Sequence, residues 1–179
     1  MIEYIRTALK DLQKLHSLYG ATFGLLFLVS FLAAPSLIGV DVNIFGILVI
    51  GEKYSLIVGL LFGAFVVALL LKLRQLRHLV AVTREGNERD SAVRELRYYP
   101  WVMSPFQGGA LGRQGFWGSL LVGSVYVGVL GILHILDPFR RGVWHQLIGL
   151  FDLFILGLVL LLFRELARTM KELDVLVRE

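Results

Sequence analysis

Asp152, His145 and His134 are the residues whose chemistry is least expected where they stand, in stretches otherwise almost free of charge. A carboxylate near two imidazoles suits a cation or proton path. The acid attracts positive charge, and each ring exchanges a proton near neutral pH. His145 precedes Asp152 by seven residues, close to two helical turns, so both fall on nearly one helix face. His134 lies three residues before Asp137-Pro138, near the end of the preceding apolar stretch. If the two stretches are adjacent helices, the three side chains line one outer vestibule. Asp152 is then its deepest charge, about 13 Å in at helical rise. The competing expectation is structural: Asp152 bonds a Ser, a Tyr or backbone of a neighbouring helix, and the histidines sit in the interface. The three residues lie at different depths, which argues against a shared metal site, and no metal is expected.

Catalysis finds no support. Hydrolysis wants a nucleophile beside a base, or paired carboxylates, and the apolar stretches offer only isolated serines and Asp152. With no cysteine in the chain, disulfides, Cys-ligated zinc, iron–sulfur clusters and thiol nucleophiles are excluded. The glycines Gly108, Gly109 and Gly112 lack the Gly-x4-Gly-Lys-Ser/Thr spacing of a phosphate loop. The chain is expected to be no enzyme and to need no cofactor.

The elements that must position Asp152 are long apolar stretches, at about 18–34, 54–71, 116–136 and 143–163. Each approaches the roughly 20 residues a helix needs to cross a hydrocarbon core. None holds a Lys or Arg. The composition agrees, with 56% hydrophobic and 18% charged residues and a mean hydropathy of +0.72. The expected fold is an all-α membrane protein of four transmembrane helices, one domain over residues 1–179. The first stretch resembles a secretory signal only in hydropathy. Phe31 and Leu32 occupy the places where a cleavage site wants small side chains, so the helix is expected to be retained.

Charge placement sets the expected orientation. Of 18 Lys and Arg residues, 15 lie before the first stretch, in the 72–115 connection or in the 164–179 tail. The remaining connections hold Lys53, Arg140 and Arg141. This alternation places both termini and residues 72–115 in the cytoplasm of a bacterial-type inner membrane. The net charge of +4 is thereby assigned to topology and anionic lipid rather than to nucleic acid. Lys72, Arg74, Arg77 and Trp101 are the expected headgroup contacts.

Three stretches continue as helical patterns beyond the membrane. Ile2, Ile5, Leu9, Leu12 and His16 precede the first; Leu73, Leu76 and Val80 extend the second; Leu166, Met170, Leu173 and Val177 extend the fourth. These extensions are expected to bundle as a stalk, with the N-terminal one the candidate to lie flat on the surface. A short charged helix is expected over 88–97, capped by Asn87. On the outer side, Ile38–Phe45 alternates and Ile47–Ile50 is rich in β-branched residues, bounded by Gly46 and Gly51. This reads as a small hairpin or a re-entrant loop.

Small residues recur at helical spacing: Gly20 and Gly24; Ser55, Gly59 and Gly63; Ser119 and Gly123, followed by Gly128 and Gly131. Such faces let helix backbones approach closely where water gives no hydrophobic drive. The expectation is a protein that acts by assembly, as a homo-oligomer or with other membrane subunits. An oligomeric channel is the alternative.

Overall fold

The computed structural model describes residues 2–32, 42–44, 47–49, 51–83, 87–101, 104–106, 110–136 and 143–178. Side chains are described over 2–28, 55–83, 88–101, 104–106, 112–132, 135–136, 143 and 146–176. In chain order the elements are α1 (Ile2–Leu32), β1 (Val42–Ile44), β2 (Ile47–Val49), α2 (Gly51–Val82), α3 (Asn87–Tyr98), α4 (Ala110–Leu136) and α5 (Val143–Arg178). The two strands pair antiparallel, with Val42 opposite Val49 and Ile44 opposite Ile47.

Each long helix buries a stripe of residues spaced three and four apart, the period that keeps one face turned to its neighbours. On α1 the stripe runs Ile5, Leu9, Leu12, His16, Tyr19, Phe23, and on α4 it runs Phe116, Leu120, Gly123, Val127, Leu130. On α5 it includes Asp152, Ile155, Val159, Leu166, Met170 and Leu173. The opposite faces stay apolar yet exposed, as with Leu60, Leu121, Phe154 and Leu161. Three helices hold segments long and apolar enough to cross a membrane: Ser55–Val82, Gly112–Ile132 and Gln146–Leu176. The expected first span over 18–34 runs beyond Leu28 into side chains outside the described residues, so the described chain supports three such segments.

Contacts divide the chain into two compact units. The first comprises Met1–Leu18, Phe65–Leu121 and Leu161–Glu179. It holds the charged helix ends, joined by pairs between elements: Arg6 with Glu95, Lys72 with Asp11 at 2.8 Å, Arg77 with Glu172, and Arg113 with Asp174 at 2.9 Å. Arg89 on α3 donates to the backbone carbonyl of Leu176 at 3.0 Å. The N-terminal segment differs from the flat helix expected. α1 is continuous from Ile2 to Leu32, and its first half is tied to α2 through Asp11 and to α3 through Arg6. No proline or glycine interrupts residues 2–19, so nothing in the sequence lets the chain turn there.

The second unit comprises Tyr19–Ala64 and Val122–Leu160. Its described interior is aromatic and small: Tyr19, Phe23 and Phe62 meet with ring centroids 4.6 to 6.0 Å apart. Tyr126 donates to the Leu26 carbonyl at 3.3 Å.

Candidate functional site

Asp152 is buried in the second unit, with 0% of its surface exposed. Two helices approach it through glycine. A Cβ on Gly59 of α2 would stand 3.4 Å from Asp152 Oδ1, and one on Gly131 of α4 would stand 3.1 Å from the Asp152 Cβ. Ile155, one turn along α5, packs over Gly59 and Gly63. A polar side chain inside an apolar unit costs about 2.5–3.5 kcal/mol on insertion scales, so its neighbours must compensate. Here α2, α4 and α5 close around the carboxyl where side chains are smallest. Ser55, one turn before Gly59 on α2, is also buried. The arrangement can fix three helices at one depth, and it can present a single acid inside a low-dielectric interior.

Of the three expected vestibule residues, only Asp152 has a described side chain. The side chains of His134 and His145 lie outside the described residues. Among the described residues no group of three His, Asp or Glu is placed to hold a metal ion.

The small-residue faces separate into two kinds. Gly123 makes the tightest approach: a Cβ there would overlap Tyr19 Oη and lie 2.5 Å from Phe62 Cε2. Gly128 faces Leu156 of α5, 3.2 Å from where its Cβ would sit, and Gly63 faces Ile155 at 3.9 Å. Gly20 and Gly24 behave otherwise. Nothing among the described residues lies within 4 Å of either Cβ position. The buried stripe of α1 passes beside them, through Tyr19 and Phe23.

The first unit holds a polar cluster that periodicity did not single out. His16 is buried, stacks on Phe116 with centroids 5.4 Å apart, and meets the Trp101 ring at 5.5 Å. A His16 ring nitrogen lies 2.9 Å from Ser119 Oγ, and that hydroxyl donates to the Phe116 carbonyl at 2.8 Å. Burial holds the His16 imidazole below its ordinary pKa, since the protonated ring would lose its water. The Ser104 backbone N–H donates to the Trp101 carbonyl at 2.9 Å, with Pro105 following. The sequence signal was His16 itself, a polar residue at a core position of an apolar stripe. Its ring partners come from remote segments.

The expected headgroup residues meet protein groups. Trp101 is only 4% exposed, which leaves no surface for a headgroup and corrects that expectation. Tyr and Trp sit at membrane interfaces when half of the ring is wet, and this ring is enclosed by His16 and Phe116. Lys72, Arg74 and Arg77 reach Asp11, Glu165 and Glu172, yet stay partly exposed. Lys72 and Arg77 hold the Asp11 and Glu172 carboxyls below their ordinary range.

No family model, no curated protein and no solved structure matches this chain.

Proposed function

We propose that this chain is a non-catalytic inner-membrane protein with four spans and cytoplasmic termini, working by assembly. It joins copies of itself or serves as a subunit of a larger membrane complex. The β1–β2 pair then lies on the outer side, and the ion-paired helix ends form a cytoplasmic stalk.

One observation carries the proposal. Gly59, Gly63, Gly123, Gly128 and Gly131 are spent on contacts inside the chain, whereas Gly20 and Gly24, one turn apart, meet nothing within 4 Å among the described residues. In lipid a bare glycine face gains little, but against a second helix it permits close backbone contact. Changing Gly20 and Gly24 together to Leu should reduce the mass of the particle in mild detergent while leaving helix content intact. Unchanged mass would remove this face from any interface.

A second reading, an oligomeric channel with Asp152 as its acidic site, is favoured by the complete burial of that carboxyl. It requires ion flux in liposomes that Asp152→Asn alters without changing assembly. No flux from assembled wild-type protein, with or without an applied potential, would overturn it.

A further inference from the structure

In the first unit, α1 and α2 leave a cleft of about 470 Å³ between them. Its lining joins apolar Leu15, Leu18 and Leu71 to charged Asp11, Lys14 and Lys72. Leu18 and Leu71 are 65% and 60% exposed, although each ends or begins an apolar stretch. Lys14 is the last charged residue before the 18–34 stretch, and Lys72 is the first after the 54–71 stretch. The border between oily and charged surface therefore crosses the cleft itself. Two ammonium groups face one carboxylate there, leaving an excess of positive charge. Asp11 bonds Lys72 Nζ at 2.8 Å, but the two side chains keep 42% and 36% of their surface open, so an incoming anion can reach the pair.

We propose that this cleft holds one anionic phospholipid, with its phosphate between Lys14 and Lys72 and an acyl chain along Leu18 and Leu71. Ammonium groups bind phosphate as point charges, without the fork geometry that arginine needs. A zwitterionic lipid brings its own cation into a site already positive and is disfavoured. Asp11 tempers the site by competing for Lys72. The proposal rests on the membrane assignment above, since it requires Lys72 to mark the edge of the bilayer.

The test uses the full chain, purified in mild detergent, with retained lipid counted by native mass spectrometry after adding phosphatidylglycerol or phosphatidylcholine. One phosphatidylglycerol should be retained in clear preference. Lys14→Gln should weaken that retention by about fivefold, the share of one lysine near an anionic surface. Asp11→Asn should strengthen it, because the competing carboxylate is gone while the shape is kept. This opposite sign excludes a merely structural role, in which both variants would weaken binding together. Equal retention of the two lipids, or loss of retention in both variants, would overturn the proposal. Glycerol phosphate stabilising the chain as well as phosphatidylglycerol does would overturn the lipid assignment. Alkaline extraction of wild-type protein from vesicles keeps the two claims apart. Release would sink the membrane assignment, whereas retention without lipid preference would sink the cleft alone.

Discussion

The two units of this chain use different means to hold similar helices. The first packs its segments over buried leucines such as Leu9, Leu73 and Leu173, and adds charged pairs that remain partly wet and one enclosed histidine. The second joins them through glycines, aromatic rings and one buried carboxyl. Water explains the contrast. Where solvent reaches a contact, an ion pair is weak but forgiving, because either partner can be rehydrated. Where it does not, fit must supply the attraction, and a single added methyl group has nowhere to go. Tolerance to substitution should differ accordingly.

The largest effect is expected at Gly123, the tightest backbone approach in the second unit. Gly123→Leu drives a branched side chain into Tyr19 and Phe62. Overpacking of this kind costs about 1–3 kcal/mol, occasionally more, and here the first carbon already overlaps. Thermal unfolding in detergent should drop steeply, and Gly123→Ala should also destabilise. A Gly123→Leu variant with wild-type stability would break the contrast, since it would mean that the second unit yields as easily as a wet surface.

Asp152 comes next. Asp152→Asn keeps shape and hydrogen-bonding capacity, and it should cost less than Asp152→Leu. Leu abandons whatever partner the carboxyl has, a loss of about 1–3 kcal/mol, and it also crowds Gly59 and Gly131. Equal stability of the two variants would show that the site is set by size and not by polarity.

These positions also mark where legibility in the sequence stopped. The helices themselves were readable, because a three-and-four spacing of apolar residues persists through and beyond the apolar stretches. The predicted 88–97 helix corresponds to α3 at Asn87–Tyr98. α4 starts at Ala110, six residues before the stretch at 116, because hydropathy marks the oily part of a helix and not its first turns. Gly59 and Gly123 share small-residue spacing with Gly20 and Gly24, yet only the first two meet another helix among the described residues. Spacing states that a face is small. It does not state what faces it. The His16 cluster was hidden for the same reason, as Trp101 and Phe116 lie far along the chain.

His16 sharpens the comparison from the other side, as a buried group in the charged unit. Its pKa in the folded chain lies below the ordinary 6.5, because burial disfavours the protonated ring. The unfolded chain therefore binds the proton more readily. Stability is full above about pH 6.5 and declines as pH falls through the folded value, with a slope of at most about 1.4 kcal/mol per pH unit. The depressed carboxyls of Asp11 and Glu172 act only at lower pH, below their ordinary values of 3.8 and 4.5. His16→Phe keeps an aromatic ring beside Phe116 but removes the titration and the Ser119 bond. It should flatten the stability profile below pH 6.5, at a cost near neutrality of about 0.5–1.5 kcal/mol for the hydrogen bond. An unflattened profile would assign that titration to another group.

The smallest effect is expected at Arg74, whose bond to Glu165 is long at 3.4 Å and whose side chain is 50% exposed. Exposed pairs contribute about 0.2–1 kcal/mol, and this geometry belongs at the low end, so Arg74→Gln should be nearly silent in thermal unfolding. Glu172 offers the internal comparison, because it serves Arg77 from α2 and Arg168 from its own helix. Glu172→Gln removes the shared acceptor charge and leaves two cations side by side, so it should cost more than Arg74→Gln despite similar exposure. Raising the salt concentration should narrow that gap, since screening weakens the repulsion between Arg77 and Arg168 as well as the lost attraction. A gap that persists at high salt would mean that the Glu172 contact acts by packing. The charged unit would then be held as the second unit is, and the contrast between the two would fail.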